Sequence, residues 1–490
     1  MALASCNEDS STLATNSLPD VLVDTTGIGK LSILQFEELN ISPDISLEGI
    51  NESDVSYQWR LYPVPGDTVS EVISEEPNLS GYQIELTPTT GDKRYRVTLT
   101  VTDEQNDLEY ITAWPLQVLN SLGEGLVVAE ATGNGDTDLS LIMSPQVTAG
   151  FTKTDIKRHI YSTVNGQTIA GIVKGIQFTQ FFRDEVLLAI TDNSIVRINT
   201  LDYSYTGKNS DLFFYDSPAY HSQHVGVINK SGSYRFYLGN QQLSSMGPGD
   251  KQFTAPLDSK INVPTEIAVN KQSSASTIIN FYDEENGQFA YLGTFFAFGS
   301  NELTHTPSAS GQTFDPANVP GKENIAANAA TNGNTRHLLK DKKTGEYHLY
   351  VLNGEDPPAP LAKYDFADAP EIDNAKHFVL PDNQRVMYYA TDTKIYAALY
   401  STSTPVFEER YSAPAGEEIT TLQLYHASDY PTAESYLDTD GRQLIMSTYD
   451  GSEGRVHLLP ITNLGVGNID EANITSFEGF GRITAIAPQK

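Results

Sequence analysis

Three observations predict an all-β chain. The apolar runs are short and rich in Val, Ile, Thr and Tyr, and 26 Tyr and 20 Phe stand against 2 Trp and 5 Met, a usage that favours strands. Several runs alternate apolar and polar residues strictly, the two-residue period of a half-buried strand. One unit, a strand, a turn and a second strand, then recurs over residues 120–490. No helical periodicity of comparable strength competes with it.

Length and charge bound the architecture and the partners. A chain of 490 residues exceeds what one core comfortably holds and suits two or three domains. With 39% hydrophobic and 19% charged residues, 36 Gly and 25 Pro, the composition is globular and turn-rich. The 63 acids and 31 bases give a net charge of −32, which repels a phosphate backbone and argues against a nucleic-acid partner. No uninterrupted apolar run approaches the roughly 20 residues that cross a bilayer, so contact with a membrane is expected only through an anchor. The single cysteine excludes an internal disulfide.

That cysteine, Cys6, closes the run Leu3-Ala4-Ser5-Cys6 and is followed by Asn7-Glu8-Asp9. A leucine, two small residues and a cysteine resemble a bacterial lipobox, in which the cysteine sulfur carries a diacylglyceryl group. The acids behind it resemble the surface-export signal of Bacteroidetes lipoproteins. The resemblance implies lipidation at Cys6 and a place on the extracellular face of the outer membrane, where several acyl chains anchor stably. Residues 1–17 then serve as lipobox and flexible tether.

The first domain is expected over residues 18–119. In Tyr95-Arg96-Val97-Thr98-Leu99-Thr100-Val101-Thr102-Asp103, the residues Tyr95, Val97, Leu99 and Val101 share one face. A polar turn from Glu104 to Asp107 and a run from Leu108 to Val118 complete a hairpin. Upstream, Val55, Tyr57, Trp59 and Leu61 alternate in the same phase, and an inward Trp fills the space between two sheets of a sandwich. The pairing of Tyr57-x-Trp59 with Tyr95-x-Val97-x-Leu99-x-Val101-x-Asp103 resembles PKD-type immunoglobulin-like domains, which act mostly as spacers or adhesion modules. The turn after the Trp strand departs from that pattern, with Leu61-Tyr62-Pro63-Val64-Pro65-Gly66 in place of an acidic, Gly-rich one.

The second domain is expected over residues 120–490. Its hairpins turn at Thr132–Asp138, Asp192–Ser194, Lys230–Gly232, Glu285–Gly287, Lys342–Gly345, Thr391–Lys394 and Asp450–Gly454. Turns roughly 50 residues apart match four-stranded propeller blades, so the hairpins predict a seven-bladed β-propeller. Several hairpins are preceded by a short apolar segment, and the first is not. The last residues, Ile483-Thr484-Ala485-Ile486-Ala487, supply that missing segment and are predicted to pair into the first blade, sealing an edge that would otherwise invite aggregation.

A lipobox, a PKD-like sandwich and a propeller opening with Gly123-x-Gly125-Leu126-Val127-Val128 together resemble the PKD-like family of Bacteroidetes surface lipoproteins. Members are typically encoded beside SusC/SusD-like importers. The resemblance implies an accessory component of a TonB-dependent uptake complex. Its partners would be a SusC-like transporter, a SusD-like lipoprotein and further surface lipoproteins, and its ligand a peptide or glycan bound without catalysis.

Side-chain chemistry is sparse. No Gly-rich phosphate loop, G-x-S-x-G elbow, H-E-x-x-H or CxxC pair is present, and no resident cofactor is expected. His224, His337 and His377 each stand just before an expected blade strand, with His221 three residues before His224. Converging imidazoles would suit a transition metal, and the alternative to a binding protein is an extracellular propeller lyase or hydrolase built on such a metal. Asp136 and Asp138, in Asn134-Gly135-Asp136-Thr137-Asp138, place oxygens at alternate positions as calcium loops do, but no bidentate Glu follows at EF-hand spacing, and a solvated hairpin turn is the better account. The acid runs at 283–285 and 365–373 read as solvated rims. Phe181-Phe182, Phe213-Phe214, Phe295-Phe296 and Phe298 read mainly as strand core. Tyr215 and Tyr220, in expected loops beside His221 and His224, are candidates for stacking on a sugar or docking a partner.

Overall fold

The computed structural model describes all residues except 1–19, 30, 64–67, 87–93, 182–183, 216–219, 229–233, 248, 258–259, 272–275, 294–301, 310 and 428–436. Cys6, Phe182, Phe295, Phe296, Phe298 and the turn at Lys230–Gly232 therefore lie outside the described residues, as does the side chain of Phe181. The chain divides into two compact units, Met1–Ser121 and Leu122–Lys490.

In the first unit the two alternating runs pair as antiparallel strands, with Trp59 opposite Leu99 and Tyr57 opposite Val101. They sit in a five-stranded sheet ordered Leu31–Leu34, Leu108–Leu119, Tyr95–Asp103, Val55–Tyr62, Glu71–Ser74, whose first pair is parallel. Two smaller sheets pair Asp20–Asp24 with Asp44–Glu48 and Glu38–Ile41 with Leu79–Gln83. Because successive side chains point to opposite faces, the in-phase residues Trp59, Leu61, Val97, Leu99 and Val101 meet Leu39, Ile41 and Leu79 in one core. Trp59 is fully buried and stacks on Trp114 at 5.5 Å between ring centroids. Its Nε1 donates to the Glu76 carbonyl at 2.9 Å, so its one polar group is satisfied. Buried Asp103 closes the hairpin turn by accepting from the Gln105 and Asn106 amides.

The second unit folds, among the described residues, as seven antiparallel sheets in chain order. Sheet 1 holds Gly125–Ala131, Thr137–Met143, Asp155–Lys157 and the C-terminal strand Arg482–Gln489; sheet 2 holds Gly175–Phe181, Asp184–Ile190, Ile195–Asn199 and Tyr205–Lys208. Sheet 3 is Ser222–Ile228, Tyr234–Gly239 and Gln242–Met246; sheet 4 is Ala268–Val269, Ile279–Asp283, Gln288–Leu292 and Leu303–His305. Sheet 5 is Lys322–Ala329, Thr335–Asp341, Tyr347–Leu352 and Pro360–Asp365; sheet 6 is His377–Val379, Val386–Ala390, Lys394–Leu399 and Val406–Ser412. Sheet 7 is Glu418–Leu424, Gln443–Tyr449 and Gly454–Asn463, with Asn468–Ile469 and Thr475–Phe480 both pairing the last of these.

The middle strands are buried on both faces, and alternate side chains serve opposite neighbours. In sheet 1, Val127, Ala129, Leu139 and Leu141 pack with Phe178, Leu187 and Ile198 of sheet 2. Leu126, Val128 and Ile142 pack with Ile445, Val456 and Leu458 of sheet 7. Equivalent clusters join sheets 2 and 3, 3 and 4, 4 and 5, 5 and 6, and 6 and 7. Among the described residues, first strands of successive sheets also approach one another, except between sheets 3 and 4, from Arg482–Gln489 beside Gly175–Phe181 to Glu418–Leu424 beside Arg482–Gln489. Each sheet thus packs on the one before and the one after, and the last on the first, which is a propeller-type arrangement.

Closure occurs through the C-terminal strand, as the sequence predicts. Arg482–Gln489 pairs antiparallel with Gly125–Ala131, interrupted by one bulge between Ala129 and Glu130. Buried Glu130 accepts from the Gly481 amide at 2.7 Å and from Ser140 Oγ at 2.5 Å. At the far end, Tyr203 Oη donates to Gln489 Oε1 at 2.7 Å, and Gln489 Nε2 donates to the Leu122 and Gly123 carbonyls. Gly125 is required where the strand begins, because a Cβ there would lie 2.4 Å from the Ile142 carbonyl oxygen.

Candidate binding site

The histidines do not converge. His224 is third in the first strand of sheet 3, His337 is third in the second strand of sheet 5, and His377 opens the first strand of sheet 6. Positions that differ in strand and register do not meet at one rim, and each ring has its own neighbour. His224 stacks on Phe236 at 5.3 Å and 6° between planes; burial and then the Lys271 charge lower its pKa to about 4. His337 is fully buried, its Nε2 lies 2.7 Å from Asn280 Oδ1, and burial followed by the Arg336 charge takes its pKa to about 3. His377 Nε2 donates to the Ile419 carbonyl at 3.3 Å. His221 is exposed, and its carbonyl accepts from the Asn240 amide. Among the described residues, no group of three or more His, Cys, Asp or Glu is placed to hold a metal ion.

The other expected ligand groups are engaged locally. Asp136 accepts from the Gly171 amide and Thr168 Oγ1, both at 3.1 Å. Asp138 is buried and accepts from the Leu139 and Ser162 amides at 2.8 and 3.0 Å, holding the start of the short helix Ile160–Asn165. Nor is the acid run at 283–285 a uniformly solvated rim. Asp283 is buried, accepting from the Glu285 and Asn286 amides while its Oδ2 lies 2.8 Å from His305 Nε2. Tyr215 and Tyr220 turn inward: both rings lie 5.3 Å from Phe213 and pack against the cluster between sheets 2 and 3. An aromatic in a connecting loop covers the end of a seam as readily as it faces solvent, so the pair does not form the exposed stacking platform expected of it.

A cavity of about 430 Å³ opens between sheets 5 and 6. Thr331, Asn332 and Asn334 reach it from the turn joining the first two strands of sheet 5, and Asp382, Asn383, Gln384 and Arg385 from the equivalent turn of sheet 6. Val351, Leu361 and Ala362 form an apolar wall, and Arg336, Tyr364 and Tyr400 complete the lining. Arg336 is only 3% exposed. Its Nη1 donates to the Gln384 carbonyl at 3.2 Å and to Tyr400 Oη at 2.9 Å, its Nη2 to the Leu380 and Ala329 carbonyls at 3.2 and 3.4 Å, and its Nε has no partner. Arg385 donates to Tyr364 Oη, and its guanidinium lies 5.9 and 6.0 Å from the Tyr364 and Tyr400 ring centroids. Among the described residues, no carboxylate comes within 4.0 Å of either guanidinium.

Asp382 is the one acid in the lining. It pairs with His426 Nε2 at 3.2 Å, and His426 Nδ1 faces Asp440 Oδ1 at 3.2 Å on the other side. Burial raises the Asp382 pKa, but the hydrogen bond and charge of His426, with the charges of Lys271 and Arg336, outweigh it and the carboxyl ends below its ordinary range. Sequence reasoning missed this site because each hairpin of the repeat was read from its first apolar strand residues, Leu338 and Val386, just past the lining. The available signal was a charged residue, Arg336, inside a strand otherwise buried on both faces, together with polar turns at equivalent places in consecutive repeats, Asn332-Gly333-Asn334 and Asp382-Asn383-Gln384-Arg385.

No family model and no curated protein matches the chain. Among solved structures it is similar to a quinoprotein alcohol dehydrogenase-like protein from Bacteroides thetaiotaomicron, at 13% identity over 96% of this chain and 98% of that one, with a TM-score of 0.41. It is also similar to the β-propeller domain of Cps50 (Swd1) from Myceliophteria thermophila, at 9% identity over 62% and 86% of the two chains and a TM-score of 0.38. PorZ of Porphyromonas gingivalis, a surface component of the type-IX secretion system, matches at 10% identity over 80% and 44%, with a TM-score of 0.34. Likeness of this degree carries no argument about function.

Proposed function

We propose that the chain is a surface lipoprotein of the outer membrane that binds a peptide or glycan without catalysis, as an accessory to a SusCD-type TonB-dependent importer. In this reading the seven sheets are the blades of one seven-bladed propeller, Met1–Ser121 is a PKD-type immunoglobulin-like spacer, and Cys6 carries the lipid. The lipobox-like run at Cys6 and the order of sandwich before propeller support the setting. The cavity between sheets 5 and 6 carries the binding role. It presents fixed arginines, amide side chains and an apolar wall, with its one carboxylate already paired to a histidine. Such a mixture of an apolar surface and a few placed polar groups is what small-ligand sites use.

Co-purification from detergent-solubilised outer membranes tests the setting, with the tagged chain expected to bring down a SusC-like transporter and a SusD-like lipoprotein. A Cys6→Ala chain should no longer partition with membranes. A chain that purifies alone, or whose membrane association survives that substitution, overturns the accessory-lipoprotein reading. Turnover of a glycan or peptide by the purified chain with stoichiometric metal would replace binding by enzymatic action.

A further inference from the structure

We infer that the cavity between sheets 5 and 6 takes a carboxylated saccharide, a sugar ring of the uronic-acid type, with its carboxylate held by Arg385 and drawn in by the buried charge of Arg336. This names a ligand for the binding role proposed above and rests on that role; it does not rest on the lipid anchor or the importer.

The argument begins with Arg336. Buried cations are ordinarily paired with an acid, because taking an unpaired charge out of water is costly. This chain has 63 acids against 31 bases, so a partner for Arg336 was abundantly available. Instead the guanidinium is tied by three carbonyls and the Tyr400 hydroxyl, all neutral, and its Nε is left without an acceptor. Those ties spend all four Nη hydrogens, so the guanidinium stands as a fixed positive charge at the cavity wall with only its Nε hydrogen uncommitted. Arg385, exposed and bonded through Tyr364, adds a second guanidinium from the facing sheet.

Charge balance selects the anion. Two arginines and Asp382 leave the lining with one excess positive charge, which a carboxylate neutralises. A phosphate carries up to two negative charges and would meet Asp382 with the surplus. The remaining walls select the body of the ligand. Thr331, Asn332 and Asn334 offer short polar groups and Asn383, whose Nδ2 donates to the Gly441 carbonyl, an amide oxygen, the complement of sugar hydroxyls. Val351, Leu361 and Ala362 offer the apolar surface against which the C–H face of a sugar ring rests.

Titration calorimetry on the full chain, with glucuronic and galacturonic acid and their short oligomers, tests this. Glucose and galactose serve as neutral controls, and inorganic phosphate and a short peptide with a free C-terminus as rival anions. Binding is expected for the sugar acids, at least tenfold tighter than for the neutral sugars. Arg385→Gln is expected to weaken it at least tenfold while leaving the melting temperature unchanged, since that side chain is exposed. Arg336→Gln removes the buried charge, and is expected to weaken binding several-fold in a chain whose circular dichroism is that of the parent. Equal affinity for neutral sugars, no binding by any sugar acid, or an Arg385→Gln chain that binds normally overturns the inference. Tighter binding of phosphate or of the peptide overturns it too, yet a bound peptide would leave the accessory-lipoprotein reading standing. Sugar-acid binding by a chain that co-purifies with no importer would sink that reading and spare this one.

Discussion

Two seams of the ring follow the same plan and reach different ends. Between sheets 7 and 1, Leu126, Val128, Ile142, Ile445, Val456, Leu458, Phe477, Ile483 and Ile486 interdigitate, and the seam is given over to apolar packing. Between sheets 5 and 6, Ala326, Leu338, Leu349, Met387 and Ala398 do the same along the middle of the strands, with Tyr347, Tyr389 and Tyr396 among them. At one end of that second seam, however, packing gives way to the cavity, and a buried guanidinium stands between Thr335 and His337, ahead of the apolar Leu338 and Leu339. The difference teaches where a repeated architecture keeps its individuality. The alternation that makes seven similar seams makes the ring, and a local departure from it makes a site.

Removing the strand that closes the apolar seam is expected to have the largest effect. Deleting Arg482–Lys490 withdraws Ile483, Ala485, Ile486 and Ala487 from the seams on both sides of sheet 1 and exposes the edge of Gly125–Ala131. Full burial of one large aliphatic side chain contributes about 1.5–3 kcal/mol, so the loss of several approaches the whole stability of a typical domain. The truncated chain is expected to melt more than 10 °C lower or to aggregate on expression. An unchanged melt by differential scanning calorimetry would break the comparison, because the closing seam would then not hold the ring.

A single substitution sharpens the same contrast. Ile483→Ala, at a residue 1% exposed, is expected to cost about 3 kcal/mol through lost burial and the cavity left behind. Arg385→Gln at the open seam is expected to stay within about 0.5 kcal/mol, the range of ordinary surface changes. Denaturant titrations that rank the two in the opposite order would show that the cavity end carries the ring and the closing seam does not.

How much of this was legible in the sequence follows from which signals are periodic. The strand alternation of Val55–Leu61 and Tyr95–Asp103, the recurring hairpins and the spare segment at Ile483–Ala487 all report burial, and burial repeats with the strand. Pairing of the last strand with the first was legible because Ile483–Ala487 matched a segment missing before Gly125. The site was not legible in that way. Tyr215 and Tyr220 carry the chemistry of a stacking platform, yet whether a loop aromatic faces solvent or a seam depends on how two sheets approach. His224, His337 and His377 are irregularly spaced along the chain, and the strand and register that separate them are not revealed by spacing alone. Arg336 was visible as an oddity of its strand, but its meaning depends on Arg385, nearly fifty residues later, facing it across a seam.

Acidity separates the seams further, with smaller effects. Glu266 precedes the first strand of sheet 4 and is buried enough that its pKa rises to about 7. A carboxyl whose folded pKa lies above its unfolded value stabilises the fold below the unfolded value, near 4.5, and that contribution is lost as the pH rises through 7. Glu266→Gln is therefore expected to match the parent at pH 4 and to be more stable by about 2 kcal/mol at pH 8, measured by denaturant titration at the two values. Equal stability at pH 8 would mean that the carboxylate is solvated.

Asp382 has the opposite sign and the smallest expected effect. Burial pushes its pKa up, but the hydrogen bond and charge of His426 and the charges of Lys271 and Arg336 bring it below the ordinary value, and Asp440 is lowered from the other side of the same imidazole. A depressed carboxyl contributes stability above its unfolded pKa, and that contribution is lost as the pH falls through the folded one, below about 4. The imidazole ties sheet 6 to the strand connection of sheet 7 beside the cavity. Asp382→Asn is expected to destabilise the chain at pH 6 and to cost progressively less as the pH falls below about 4, where the parent loses the same interaction. It also removes the only negative charge in the lining, so the same variant should bind an anionic sugar at least as tightly as the parent. Weaker anion binding by Asp382→Asn at unchanged fold would place that carboxylate in contact with the ligand, and the open seam would then owe its selectivity to an acid as well as to its arginines.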